Sequence, residues 1–250
     1  MIRPFLLALA LLTQNTNTPP DQSAPPDAPA PPPTAPAATS LKEVAPGVFD
    51  YNGIRLDQKN HRVTFPATVS FRQGLIEYVM VNEKGKSYES LLKTAIQPRD
   101  LHVAMLLIGL KEDAKANATA QPPPSAIDAA YLQTAPKLKG APVLLSVAWS
   151  QDGKKKEMPL ESWVFNRETN RPMSPGPWTY NGSLIDHGVF LADEELSIAA
   201  VITDPTALVN NTRKGYDNED IWQAREEVVP PLDTPVEISF TLAEPTTTKP

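Results

Sequence analysis

Val48-Phe49-Asp50-Tyr51-Asn52-Gly53-Ile54-Arg55-Leu56 is the stretch that decides the fold class. Asn-Gly between two apolar-containing runs is the strongest short-range signal for a two-residue hairpin, because both turn positions need positive φ. Outward from it the same texture repeats, with short apolar runs separated by turn residues. Residues 62–71 read as a strand in which Pro66 suggests an edge or a bulge. Residues 75–81 and 87–92 read as a second hairpin around Glu83-Lys84-Gly85-Lys86. Residues 143–149 and 158–165 make a third, across Gln151-Asp152-Gly153-Lys154-Lys155-Lys156. Further strands are expected at 188–191, 196–202 and 236–242. The fold class is therefore α+β, mainly β: one antiparallel β-rich domain with a single main buried helix.

That helix spans about residues 98–109. Pro98 suits a first-turn position, Asp100 sits near the positive end of the dipole, and Gly109 supplies the stop. Leu101, Ala104, Met105 and Ile108 form one apolar stripe, which Val103, Leu106 and Leu107 widen enough to predict burial against the sheet. A short helical turn at 205–209, capped by Asp204, is also expected.

The chain has 250 residues, 28 of them proline and none cysteine, with 23 basic and 29 acidic side chains and a net charge of −6. The missing cysteine excludes disulfide-stapled folds, thiol catalysis, Cys-ligated zinc, iron–sulfur clusters and a lipid anchor on an N-terminal cysteine. The acidic balance argues against nucleic-acid binding. Arg3 followed by the apolar run 5–12 reads as a signal peptide over residues 1–18. That run is too short to span a bilayer, so no transmembrane span is expected in the mature chain. Residues 19–43 read as a disordered Pro/Ala-rich linker, because they lack the apolar side chains that offset ordering entropy. Residues 44–243 form the folded domain, interrupted by a long loop at 111–142, and 244–250 are a disordered tail.

No H-E-x-x-H, G-x-S-x-G, phosphate loop or dinucleotide fingerprint is present. The residues best placed for chemistry are Glu77, Glu89 and His102. Glu77 interrupts an apolar strand, and Glu89 lies on its expected partner. With Lys84-Gly85 as a two-residue turn, Glu89 faces Met80 and Glu77 points to the opposite side. With one more loop residue, Glu77 faces Lys93 and shares a face with Glu89. His102 at the head of the helix then serves either as base or ligand beside these carboxylates, or as a hydrogen-bonded core histidine. Trp178, in the Trp178-Thr179-Tyr180-Asn181-Gly182-Ser183 segment, offers a ligand-stacking face if exposed and a core filler if not. The repeated Tyr-Asn-Gly at Tyr51 and Tyr180 reads as reuse of one turn.

Several of these segments together resemble the YdjY-like domain of bacterial exported proteins. They are Ile54-Arg55-Leu56-Asp57, Val63-Thr64-Phe65-Pro66-Ala67, Gly74-Leu75-Ile76-Glu77-Tyr78, Gly85-Lys86-Ser87-Tyr88-Glu89-Ser90-Leu91-Leu92, the run from Leu101 to Gly109, and the Trp178 segment. The resemblance implies a bacterial, extracytoplasmic setting, periplasmic or secreted, and carries no established activity. An iron–sulfur association of the family name has no cysteine to support it here. The expected role is a non-enzymatic binding or structural module of the cell envelope, without cofactor, whose partner is an envelope protein or glycan. The alternative is a metal-dependent or acid/base hydrolase using Glu77, Glu89 and His102.

Overall fold

In the computed structural model, which describes residues 41–111 and 138–243, Asn52 (φ 50°) and Gly53 (φ 81°) form the expected turn, with Tyr51 opposite Ile54. The chain runs β1 (Leu41–Ala45), β2 (Val48–Tyr51), β3 (Ile54–Asp57), β4 (Arg62–Val69), β5 (Tyr78–Asn82), β6 (Ser90–Thr94) and α1 (Pro98–Leu107). Next come β7 (Ala141–Gln151), β8 (Lys154–Pro159), β9 (Val164–Asn166), β10 (Arg171–Pro172) and β11 (Trp178–Tyr180). Then follow β12 (Ile185–Asp186), β13 (Val189–Phe190), α2 (Leu191–Glu195), β14 (Ser197–Ala200), β15 (Val209–Asn210), β16 (Trp222–Ala224) and β17 (Pro235–Leu242). The signal peptide, nearly all of the linker, most of the long loop and the tail lie outside the described residues. β1 begins inside the stretch read as linker, and β7 begins inside the stretch read as loop.

Eight strands close into a mixed barrel in the order β4-β17-β7-β11-β15-β14-β5-β6, with β6 returning to pair with β4. Its filling follows from period-2 patterning. Val63, Phe65, Ala67 and Val69 of β4 face Ile238 and Phe240 of β17 and Val143, Leu145 and Val147 of β7, all buried. Phe65 and Phe240 meet edge to face at 5.5 Å. The remaining strands sit outside the closed ring: β1-β2-β3 extend from the first half of β4, and β8 pairs with the second half of β7.

Pro66 is neither at an edge nor in a bulge. β4 holds β17 along one side, while on the other it changes partner from β3 (through Thr64) to β6 (from Thr68). The Pro66 carbonyl faces that gap and accepts from Thr94 Oγ1 at 2.7 Å, so the missing N–H falls where no neighbouring strand needs it. The third hairpin is also shorter than expected. Asp152-Gly153 is its whole turn, Lys154-Lys155-Lys156 belong to β8, and after Pro159 the chain leaves through a 3-10 turn (Leu160–Trp163) to β9 in a separate three-stranded sheet.

The largest correction concerns the second hairpin, because β5 and β6 run parallel, with Tyr78 opposite Ser90 and Met80 opposite Leu92. Neither antiparallel register applies. The connection, residues 83–89, is well under the dozen or so usual for a parallel crossover. It is possible because both strands are short and a 3-10 turn (Ser87–Glu89) carries the return. A second short parallel connection lies on the other side of the antiparallel β5–β14 contact, where β14 and β15 are parallel across residues 201–208, here through turns and bends without a 3-10 helix. The second connection replaces the helix expected at 205–209. Asp204 does cap there, accepting from Thr206 N at 2.8 Å, but within a turn that feeds β15.

α1 starts at Pro98 and is followed by Gly109, as its end signals predict. It is less buried than its composition suggested. Leu101, Ala104, Met105 and Ile108 pack into the core, whereas Leu106 and Leu107 are exposed. Gly140, just before β7, lies against the backbone of Tyr180, and an added Cβ would overlap the Tyr180 carbonyl oxygen. Gly140→Ala is therefore expected to destabilise the domain by about 1–3 kcal/mol, because neither contacting group is a side chain that can swing away. A thermal melt followed by circular dichroism checks it, and an unchanged Tm would contradict the contact.

Candidate functional site

Glu77 stands at a junction of three chain segments. Its N–H donates to the Glu89 carbonyl at 3.1 Å, and its own carbonyl accepts from Val201 and Ile202 at 2.7 and 3.1 Å. Ile76 just before it donates to the Trp222 carbonyl. Glu77 is thus tied to the 83–89 connection, the end of β14 and β16. Both glutamates are partly buried, and the backbone bond brings them side by side. Lys86 reaches Glu89 Oε1 at 3.9 Å, and its ammonium lies 5.5 Å from the centre of the Tyr78 ring. Beneath it the Tyr78 hydroxyl donates to Asp204 Oδ2 at 3.1 Å.

This setting shifts both carboxyls upward. Burial raises Glu77 most, Glu89 raises it further, and Lys86 partly offsets the two, with Glu219 and Asp204 adding small upward pushes. Glu89 is raised by burial and pulled back by Lys86. Tyr78 is raised by burial and by the Asp204 carboxylate. Two adjacent carboxyls in unequal surroundings are the arrangement that separates a proton donor from a proton acceptor.

The shift also makes Glu77 a liability to folding. Its folded pKa lies above the unfolded one, so protonation favours the folded state. That advantage is full below the ordinary glutamate value of about 4.3 and is lost as pH rises through the raised value. A permanently neutral Glu77→Gln is therefore expected to be more stable than the parent at pH 8 and equal to it below pH 4, read from urea midpoints at the two pH values. Destabilisation at pH 8 would mean that the charged carboxylate is favourably engaged.

His102 does not join the glutamates in a metal-binding group. Its Nδ1 is 3.1 Å from the Tyr180 hydroxyl, and its ring lies nearly parallel to Tyr180 and 5.3 Å from the Phe190 ring centre. Among the described residues no group of three or more His, Asp or Glu is placed to hold a metal ion.

Trp178 is fully buried on β11, opposite Val143, with the Arg213 guanidinium carbon 5.0 Å from its ring centre. It presents no face to solvent. Apart from the half-buried Thr179, the rest of its segment is buried as well: Asn181 donates to the carbonyls of Pro205 and Ala207 at 3.1 and 2.9 Å and accepts from Asn210 Nδ2 at 2.8 Å. Sequence reasoning missed Arg213, Glu161 and Asn210. A charged Glu161 flanked by Leu160 and, past Ser162, by Trp163-Val164-Phe165 was the available hint that it is buried with a cation.

On the outer face of the barrel, two shallow depressions of about 350 and 460 Å³ flank the start of β17. Asp50, Arg55, Thr64 and Pro66 line the first, Trp149, Ser150 and Lys155 line the second, and Glu237 belongs to both. Lys155 Nζ lies 3.4 Å from Glu237 Oε1 across the divide.

Compared with known proteins, residues 54–241 match the family model described as the YdjY domain. No curated protein and no solved structure matches the chain.

Proposed function

The chain belongs to the YdjY domain family, and from that premise we propose that it is an exported, non-catalytic binding module of the bacterial cell envelope. The observation that carries this reading is the pair of depressions astride β17. The barrel interior is filled by side chains, so a ligand is met on the outside, and the two depressions have the volume of small-ligand sites. Their mixture of carboxylates, cations and hydroxyls suits the hydroxyl and amide groups of a wall glycan. No cofactor takes part. Co-sedimentation with purified wall sacculi tests it. The wild type should pellet, and Glu237→Arg, an exposed change, should reduce retention about tenfold. Retention of both alike would remove the groove from the reading, and capture by envelope proteins but not by sacculi would move the partner to a protein.

The Glu77–Glu89 pair favours a second reading, an acid/base hydrolase with Glu77 as proton donor and Glu89 as acceptor. It differs from the sequence-based version in using neither His102 nor a metal. A panel of chromogenic glycoside and ester substrates, run with Glu77→Gln and Glu89→Gln, tests it. Activity unchanged in both variants would end it.

A further inference from the structure

Buried polar atoms without a hydrogen-bond partner are uncommon, and each calls for an explanation. Among the described residues such side-chain atoms include Glu161 Oε2, Arg213 Nη1, Trp178 Nε1 and Trp163 Nε1. These four come from one neighbourhood. Glu161 and Trp163 share a 3-10 turn, Arg213 Nη2 donates to Glu161 Oε1 at 3.0 Å, and Arg213 stacks over Trp178. The side chains of Glu161 and Arg213 are only 3% and 9% exposed. The ion pair is single-stranded. One oxygen and one nitrogen are joined, while the second oxygen of the same carboxylate and the second terminal nitrogen of the same guanidinium are left buried without a partner.

We propose that Glu161, Arg213 and Trp178 enclose a binding site for one hydroxyl oxygen. The oxygen accepts from Arg213 Nη1, donates its proton to Glu161 Oε2, and has a second lone pair for the Trp178 indole N–H. Charge decides the chemical class. An anion would meet the Glu161 carboxylate and a cation would meet the Arg213 guanidinium. A neutral group that both donates and accepts satisfies both sides without disturbing the pair. The oxygen is that of an ordered water or of a hydroxyl carried by a polyol or saccharide, and only the second source rests on the glycan reading.

The neighbouring contacts give the site a roof. Arg213 also donates to the carbonyls of Ser174 and Gly176, at 3.1 and 2.6 Å, and Glu161 Oε1 accepts from Gly176 N at 3.0 Å. The segment from Arg171 to Trp178 is thus pinned across the ion pair by the same two residues.

A crystal structure at high resolution tests the proposal directly. One ordered oxygen within hydrogen-bond distance of both Glu161 Oε2 and Arg213 Nη1 is expected. A dry site, or a pair closed into a bidentate bridge, overturns it. Oxygen-17 relaxation in solution supplies a second readout. The double variant Arg213→Met/Glu161→Leu should retain one long-lived internal water fewer than the parent, and an equal number would also overturn the proposal. Soaking the same crystals in glycerol or N-acetylglucosamine separates the sources. Displacement of the oxygen by a ligand hydroxyl identifies a ligand site, and its persistence identifies a structural water.

Discussion

Arg213→Ala is expected to cost about 3–5 kcal/mol of folding stability, the range found when one member of a buried ion pair is removed. The size comes from what is left behind. Glu161, 2% exposed, would keep a carboxylate in the interior with no countercharge. The carbonyls of Ser174 and Gly176 would lose their guanidinium donor, and the Trp178 ring its cation. Glu161→Ala should be similarly severe, because it strands the guanidinium, whose pKa burial already depresses against the upward pull of Glu161. The double variant Arg213→Met/Glu161→Leu is the informative control. Replacing a whole buried pair by apolar groups of similar size is often neutral or stabilising. It should therefore lose far less than the sum of the single changes. Urea unfolding followed by tryptophan fluorescence measures all three, since Trp163 and Trp178 lie beside the pair. A loss below about 1 kcal/mol for Arg213→Ala would place the pair among exposed bridges. Limited proteolysis adds a local readout, because the Arg171 to Trp178 segment should be cut faster in either single variant.

Interactions local in sequence were legible, and those that depend on long-range pairing were not. Asn52-Gly53 specifies its hairpin because the turn's backbone requirement is met by two adjacent residues. Pro98 and Gly109 bracket α1 for the same kind of reason. The β5–β6 pairing failed because a short gap between two apolar runs normally means a hairpin. A signal against that reading was present: Tyr78-Val79-Met80-Val81 and Ile198-Ala199-Ala200-Val201-Ile202 are continuous apolar runs without alternation. Such runs suit strands buried on both faces, as in parallel sheets, and all five residues of β5 are buried. Of the expected site residues, Glu77 and Glu89 do meet, but through parallel geometry and a backbone bond that neither expected hairpin register gives. His102 is drawn to Tyr180 and Phe190, which only the tertiary fold brings near. The Arg213–Glu161 pair joins residues 52 positions apart, and no spacing rule reaches that far.

Asn181→Ala is expected to cost about 3 kcal/mol or more, although the residue was read from sequence as part of a reused turn. The two Tyr-Asn-Gly copies have different roles. At Asn52 the backbone takes positive φ and makes the hairpin. At Asn181 it does not, and the side chain does the work instead. Its amide nitrogen satisfies the carbonyls of Pro205 and Ala207 in the 201–208 connection, and its oxygen takes one proton of Asn210 Nδ2. Asn210 in turn donates to the Asp204 carbonyl and accepts from Asp204 N, both in the same connection. Alanine would strand two buried carbonyls and one amide proton, each at about 1–3 kcal/mol before relaxation. Asn181→Asp separates hydrogen bonding from packing. It is nearly isosteric, yet it turns a second oxygen toward the Pro205 and Ala207 carbonyls, so it should be at least as damaging as alanine. If Asp is tolerated while Ala is not, side-chain volume rather than the amide holds the connection. Because this connection lets β14 and β15 lie parallel, and its Asp204 accepts the Tyr78 hydroxyl beneath Lys86, the damage should extend beyond β11. Hydrogen exchange should quicken at Val201 and Ile202, whose N–H groups are held by the Glu77 carbonyl, before it quickens in β4 or β17.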